Sequence, residues 1–126
     1  MAGVTLDSGA LIAFERSDRG VLVQLKEASR RGAELTVPAV VIAEAWRGGA
    51  RSARIASLIE ACVVELLDEA LARLAGEAMG KVKGAGVVDA IVMASAAKRG
   101  DYVLTSDPGD LLRLKSFFPA ALVIAL

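Results

Sequence analysis

The stretch "AGVTLDSGALIAFER", residues 2–16, places a short apolar strand directly before an acid and the start of a helix. The strand is "VTL", and the apolar residues after "DSG" recur at the spacing of a helix. This order predicts a strand, a tight turn and a helix. Its acid, Asp7, falls at the end of the strand.

The remainder of the chain repeats this alternation. Four further stretches indicate strands: "ELTVP", "CVVELL", "DYVLTS" and "ALVIAL". Six more indicate helices: "GVLVQLKEASRRG", "PAVVIAEAWRGG", "ARSARIASLIEA", "DEALARLAGEAMGKV", "GVVDAIVMASAA" and "PGDLLRLKSF". Strands separated by helices imply right-handed crossovers, and hence a three-layer α/β/α sandwich with a parallel sheet of about five strands. The continuous apolar strands "VVELL" and "LVIAL" indicate burial on both faces.

Length and composition indicate one compact domain over residues 1–126. Hydrophobic residues make up 55% of the chain and charged residues 24%, which is typical of a globular protein. A chain of this length buries one sizeable core and is too short for two ordinary domains. It contains no apolar run near the roughly 20 residues that cross a bilayer, so a cytoplasmic protein without membrane contact is expected.

Two residue types limit the chemistry available to the chain. It contains no histidine, which removes the Ser-His and Cys-His schemes and the commonest ligand for zinc. Its one cysteine, Cys62, excludes an internal disulfide and any zinc site built from several thiolates. Fifteen basic residues balance fifteen acidic ones, so no global positive field indicates nucleic acid. Carboxylates remain as the candidate catalytic groups.

Acidic residues follow two of the strands and lie in two of the helices. Asp7 ends the first strand, and Asp107 ends the fourth in "YVLTSDPGD". Glu44 lies in an apolar setting in the helix after the second strand, and Asp89 is the one charge in "GVVDAIVMASAA". Ligands of parallel α/β sheets bind at the carboxyl ends of strands, near the point where strand order reverses. We therefore expect these four carboxylates to converge at one crevice.

Helix capping is the alternative interpretation for three of these acids. Asp7, Asp89 or Asp107 could each cap a helix, because strand-to-helix loops favour Asp at that position. Glu44 has no capping role. Asp110 is most simply a first-turn acid that complements the helix dipole. Four converging charges, however, would repel one another and destabilise the fold unless protons or cations neutralise them.

A divalent cation would supply that neutralisation. Oxygen ligands without histidine or cysteine select Mg²⁺ or Mn²⁺. Such an ion can polarise a phosphoryl oxygen, lower the pKa of a bound water and stabilise the leaving oxygen of an in-line displacement. The acids therefore point to metal-assisted phosphoryl chemistry, which needs no histidine.

The chain resembles the PIN-domain ribonucleases, and within them the small VapC-type toxins of bacterial toxin–antitoxin pairs. "LDSGALIAFE" is similar to the family's opening strand and turn with its first Asp, and "VPAVVIAEAWRGG" to its helix with the Glu. "VVDAIVMASAAKRG" is similar to the third acidic motif, and "DYVLTSDPGDL" to the closing Thr-x-Asp. The resemblance covers nearly the whole chain and rests on the order and spacing of these motifs.

The resemblance implies the acidic metal site of a Mg²⁺-dependent endoribonuclease, with Mn²⁺ as a possible substitute. The site maps onto four residues: Asp7, Glu44, Asp89 and Asp107. Thr105 or Ser8 would support it. "DSG" stands where many relatives carry Asp-Thr-Ser or Asp-Ala-Ser, which leaves the supporting hydroxyl open. Whether Asp110 is a ligand is open as well.

The resemblance also implies partners. The substrate would be RNA, the protein would form a homodimer, and a small antitoxin would wrap the toxin and block its site with a carboxyl-terminal segment. Arg47, Arg51 and Arg54 follow Glu44 at spacings that share a helical face if the intervening glycines do not break it. They could contact RNA phosphates. The alternative is a solvated face or a contact with an acidic partner.

Other protein classes fit the sequence less well. A haloacid-dehalogenase-type phosphatase needs a second Asp two residues after the first, and that position here is Gly9. A response-regulator receiver needs paired acids at the first strand end and a Lys after the fifth strand, an arrangement this chain lacks. A catalytically silent PIN-like module that binds protein or RNA stays the alternative, although the complete set of four acids argues against it.

Overall fold

The computed structural model describes residues 2–126. Its elements in chain order are β1 (Val4–Leu6), α1 (Ser8–Glu15), α2 (Arg19–Arg30), β2 (Leu35–Pro38), α3 (Ala39–Ala45), a 3₁₀ helix (Gly49–Ser52), α4 (Ala53–Glu60), β3 (Val63–Glu65), α5 (Glu69–Lys81), α6 (Val87–Arg99), β4 (Tyr102–Thr105), α7 (Pro108–Leu112) and β5 (Leu122–Ala125). The alternation predicted from the sequence is confirmed. Within residues 2–126 no helix combines the length and apolar character needed to cross a membrane.

The five strands form one parallel sheet in the order β3-β2-β1-β4-β5. Val4 in β1 lies opposite Leu35 in β2 on one side and Tyr102 in β4 on the other. The chain builds outward from β1 to β3 and then returns to the far side of β1, so strand order reverses between β1 and β4. Asp7 and Asp107 follow these two neighbouring strands. The predicted α/β sandwich with five parallel strands is confirmed.

Local hydrogen bonds fix where several helices begin and end. The Asp18 carboxylate accepts from the backbone N–H of Gly20 at 2.9 Å at the start of α2. The Asp68 carboxylate accepts from Leu71 N–H at 2.8 Å at the start of α5. Gly100 ends α6 with φ of 69°, a left-handed conformation that glycine adopts without strain.

Helix α6 is the most deeply buried helix of the fold. Seven consecutive residues, 90–96, are buried, and the helix packs against β1, β2, β4 and α5. A helix that is apolar on all sides is one surrounded by protein. Its alanines keep side-chain volume small, so α6 fits between the sheet and α5. This packing fixes the position of Asp89 in its first turn.

The two outer strands correct one sequence-based prediction. "VVELL" and "LVIAL" were expected to be buried on both faces, but Val63 and Val64 in β3 are 49% and 37% exposed, and Leu122 in β5 is 41% exposed. Both strands lie at the edges of the sheet, where each has one neighbouring strand. Apolar composition alone does not distinguish an edge strand from a central one, because the position is set by strand order.

A buried polar network joins the amino ends of the two central strands. The Asp101 carboxylate, before β4, accepts from the N–H of Gly3 at 3.1 Å and from the hydroxyl of Thr5 in β1 at 2.8 Å. Arg99 Nε donates to the same carboxylate at 2.9 Å. Asp101 is 3% exposed, so these donors stabilise a charge that would otherwise be costly to bury. The network holds β1 and β4 side by side.

A pair of leucine truncations should separate the core from the exposed edge. Leu6, in the central strand β1, is fully buried, whereas Leu66, directly after β3, is 73% exposed. Leu6→Ala should lower the free energy of unfolding by about 2–5 kcal/mol, because it leaves a cavity in the core. Leu66→Ala should change it by less than about 0.5 kcal/mol. Urea unfolding measures both, and equal losses would contradict the exposed position of this segment.

Candidate acidic site

Asp7 is a buried carboxylate that also caps a helix. It is 9% exposed, and its Oδ1 accepts from the N–H of Ala10 at 2.9 Å at the start of α1. Burial raises the pKa of Asp7, and the charge of Glu44 raises it further. Interactions with the Thr105 hydroxyl and with the N–H of Ala10 lower this pKa in part. The capping alternative is therefore correct for Asp7, and the charge of Glu44 acts on the same carboxylate.

Thr105 connects the ends of β1 and β4. Its buried hydroxyl faces Asp7 and accepts from the N–H of Asp107 at 2.9 Å. Asp107 occupies the cap position of α7, but within residues 2–126 its side chain makes no capping hydrogen bond. Its exposed carboxylate is thus left to other partners. Capping does not account for Asp107.

Asp89 lies in the first turn of α6 rather than at its cap. Gly86 occupies the cap position, and Val87 and Val88 belong to the helix, so the expectation that Asp89 could cap is wrong. Burial raises the pKa of Asp89 to about 6, helped by the charges of four other acids: Asp110, Asp7, Glu44 and Asp107. The charges of the acids expected to converge thus all act on Asp89.

Glu44 is more exposed than the sequence indicated. Its apolar neighbours suggested burial, but α3 turns Val41 and Ala45 into the core and leaves Glu44 exposed in the last turn. It nevertheless lies close enough to raise the pKa values of Asp7 and Asp89. The charge of Glu44 thus acts on both acids, although its side chain is exposed.

Asp110 has a larger electrostatic effect on Asp89 than the sequence indicated. It lies in the first turn of α7, as the helix-dipole interpretation predicts. Among the charges that raise the pKa of Asp89, however, that of Asp110 has the largest effect. Arg113 Nη1 lies 3.9 Å from Asp110 Oδ1 and supplies a counter-charge. Another nitrogen of Arg113 donates to the backbone oxygen of Lys83, so Arg113 ties α7 to the segment before α6.

The acids do not form a closed ligand shell. Within residues 2–126, no three side chains of the ligand types His, Cys, Asp and Glu are close enough together to hold an ion. The donor set is nonetheless made only of oxygen atoms, which suits Mg²⁺ or Mn²⁺. Their mutual repulsion, visible in the raised pKa of Asp89, is what a divalent cation would relieve. The residues thus fit such an ion in charge and in donor chemistry.

At the "DSG" turn, the backbone of α1 lies close to the loop that follows β4. Ser8 is the first residue of α1 and is half-buried. A Cβ atom at Gly9 would collide with the hydroxyl of Ser106, in the loop between β4 and α7. Gly9 therefore allows α1 to pack directly against that loop. No sequence pattern indicates this contact, because the two residues are far apart along the chain.

The three arginines after Glu44 do not share one helical face. The chain leaves α3 at Trp46, and Gly48 and Gly49 adopt positive φ angles of 80° and 61°. The residues are distributed over three elements, a loop, the 3₁₀ helix and α4: Arg47, Arg51 and Arg54. Arg54 lies over the Phe14 ring, 5.1 Å from its centroid, and its Nε donates to the Phe14 backbone oxygen at 3.3 Å.

Comparisons with known proteins agree with this architecture. A family model described as PIN domain matches residues 4–115. No curated protein sequence matches the chain.

Three solved structures share the fold. DNA-bound VapBC from Salmonella typhimurium has a TM-score of 0.72 and 15% identity, covering 99% of this chain and 98% of that one. FitAB bound to an IR36 DNA fragment has a TM-score of 0.70 and 17% identity, covering 97% and 94%. PAE2754 from Pyrobaculum aerophilum has a TM-score of 0.60 and 18% identity, covering 97% and 83%.

The raised pKa of Asp89 predicts how stability depends on pH without metal. The folded value of about 6 exceeds the reference value of 3.8, so between these pH values the folded protein binds more protons than the unfolded chain. Stability should therefore fall as pH rises from about 4 to above 6. Asp89→Asn should reduce this fall.

Urea unfolding in a chelator at several pH values measures this effect. Glu77→Gln, at an exposed acid on α5, is the matched control and should retain the wild-type pH dependence. A pH profile of Asp89→Asn identical to that of the wild type would show that the charge of Asp89 carries no cost in the folded protein.

Proposed function

The chain belongs to the PIN-domain family, whose members are generally nucleases, and on this premise we propose that it is a Mg²⁺-dependent endoribonuclease. The observation that carries the proposal is the group of acids around Asp89 at the point where strand order reverses. Ligands of open α/β sheets bind at that point. An all-carboxylate site without histidine suits metal-assisted cleavage of a phosphodiester.

Four carboxylates would hold the ion: Asp7, Glu44, Asp89 and Asp107. Mn²⁺ could replace Mg²⁺, because both are hard cations that accept oxygen ligands. When bound, the ion would polarise a phosphoryl oxygen and lower the pKa of water. The charge of Asp110 acts on Asp89, which makes Asp110 a further candidate to bind the ion directly or through water.

Side chains of this protein orient the site before any ion or substrate is bound. The α1 cap and the Thr105 hydroxyl hold the Asp7 carboxylate in one position. The buried helix α6 holds the backbone of Asp89, and the positive end of the helix dipole lies next to its carboxylate. A carboxyl of Asp89 with a pKa of about 6 retains a proton in mildly acidic solution and releases it near neutrality. This proton competes with a cation for the carboxylate, so binding of Mg²⁺ should strengthen as pH rises through this range.

RNA phosphates would meet basic side chains beside the acids. Arg47, Arg51 and Arg54 remain our candidates, now from three elements rather than one helical face. Arg54 stacks on Phe14 and is partly committed to it. Arg47 donates to the backbone oxygen of Trp46 at 2.7 Å. Guanidinium groups suit phosphates because they can donate two parallel hydrogen bonds.

We further propose that the protein is the toxin of a toxin–antitoxin pair, acts as a homodimer and is inhibited by a small antitoxin. Two similar structures are the FitAB and VapBC complexes bound to DNA. Four large apolar side chains are exposed and would be available to such partners: Val23, Leu66, Val87 and Leu112. Such side chains are costly to leave in water and mark surfaces of association when they are grouped.

Cleavage of RNA tests the proposed function directly. The wild type should cleave members of a panel of RNA oligonucleotides when Mg²⁺ is present and should be inactive in a chelator. Asp89→Asn keeps the size of the side chain and removes its charge, so activity should fall by a factor of at least about 100. Arg73→Ala, at an exposed residue on α5, is the control and should be fully active. Equal cleavage without metal, or by Asp89→Asn, would remove the proposed mechanism; a folded, RNA-binding but inactive wild type would favour the silent-module alternative.

Thermal unfolding tests the metal separately from activity. Millimolar Mg²⁺ or Mn²⁺ should raise the Tm, because the ion binds the folded protein and relieves the repulsion among the acids. The gain should shrink in Asp7→Asn. Asparagine also caps helices well, so this variant keeps the start of α1 while it loses the charge. An equal gain in both proteins would place the ion elsewhere.

A further inference from the structure

A groove runs along one side of α1. Its cavity volume is about 280 Å³, near the lower end of the range for ligand pockets. Gly9 and Ser106 line one end, and Arg16 and Asp18 line the other. The side chains of Ile12 and Ala13 line the groove between these ends.

The first end of the groove adjoins the proposed metal site. Gly9 is two residues after Asp7, and Ser106 directly precedes Asp107. Because Gly9 has no side chain, the Ser106 hydroxyl approaches the backbone of α1 at this end. The hydroxyl of Ser106 can donate to or accept from a ligand that extends out of the acidic site. A chain bound at the acids can therefore continue into the groove.

The far end of the groove carries the guanidinium of Arg16 beside the carboxylate of Asp18. The Asp18 carboxylate is engaged by the start of α2, where it accepts from the N–H of Gly20 at 2.9 Å and of Val21 at 3.4 Å. Arg16 is exposed at the end of α1 and, within residues 2–126, forms no salt bridge. Its guanidinium is thus free to bind an anion from solution.

Helix geometry sets the distance between the two ends. Arg16 is seven positions after Gly9, and at a rise of 1.5 Å per residue their backbones lie about 10 Å apart along α1. The Arg16 backbone is therefore too far from a phosphate that reacts at the acids. The long Arg16 side chain can instead contact a phosphate farther along the same RNA strand. The acids repel every phosphate of an RNA, and a guanidinium beyond them offsets part of that cost.

We infer that this groove binds the RNA nucleotide that flanks the cleaved phosphodiester, with Arg16 on its phosphate, Ser106 on its ribose and Ile12 and Ala13 against its apolar surface. This inference rests on the proposed function, because it takes the acids as the place of cleavage. It assigns to Arg16 a phosphate contact that is independent of base identity.

RNA binding by variants tests the inference. The probes are fluorescein-labelled oligouridine and a labelled uridine dinucleotide, with anisotropy measured over a range of salt concentrations in the Asp89→Asn background. Arg16→Ala should weaken oligouridine binding about fivefold near 0.1 M salt and make the salt dependence shallower by about 0.7, the value for one phosphate contact to a single strand. It should leave dinucleotide binding unchanged, because that probe has no flanking phosphate. Ser106→Ala should weaken oligouridine binding without changing the salt dependence.

Matched variants and a cleavage assay complete the test. Arg73→Ala removes the same charge from the distant helix α5 and should bind both probes as the Asp89→Asn parent does. In the otherwise wild-type protein, Arg16→Ala should raise the KM for RNA cleavage and leave kcat unchanged. If Arg16→Ala binds oligouridine with the parent's affinity and salt dependence, the inference is overturned; loss of binding to a protein partner with RNA affinity intact would also overturn it. If the wild type cleaves no RNA, the proposed function is contradicted. If the wild type cleaves RNA and Arg16→Ala binds oligouridine as its parent does, only the inference about the groove is contradicted.

Discussion

Burial of carboxylates at the carboxyl edge of the sheet, together with their mutual repulsion, is the constraint to which the surrounding structure is adapted. Asp89 shows it most clearly, because its pKa rises to about 6 under burial and the charges of four other acids. Nearby groups offset part of this cost: the start of α6 places its positive end at Asp89, and Ala10 and Thr105 stabilise the charge of Asp7. A bound cation would offset the repulsion that remains.

The rest of the fold holds these acids against that repulsion. Helix α6 is buried against three strands and α5, so Asp89 cannot move away without loss of core packing. Arg113 connects α7 to the backbone before α6 and pairs with Asp110. At the opposite end of the sheet, Asp101 joins β1 to β4 through buried hydrogen bonds. The two strands that end in Asp7 and Thr105 therefore stay adjacent, and the crevice between them keeps its shape.

Residues with a local signature could be predicted from the sequence, and residues whose role depends on distant neighbours could not. Asp7 and Asp107 were predicted because they follow strands, and Asp89 because it is the one charge in an apolar helix. The exposure of β3 depends on strand order and was predicted wrongly. The contact between Gly9 and Ser106 joins residues almost a hundred positions apart, and no local pattern indicates it.

The sequence by itself determined the type and order of the elements, the absence of histidine chemistry and the set of acids available to a cation, because these follow from short-range periodicity, turn residues and composition. Only the tertiary structure decided which strands are edges, that Glu44 is exposed, that Asp110 lies with the other acids and that Arg16 ends a groove beside them. These features arise from packing between distant segments, where the energy of a side chain depends on neighbours that its own stretch of sequence does not contain.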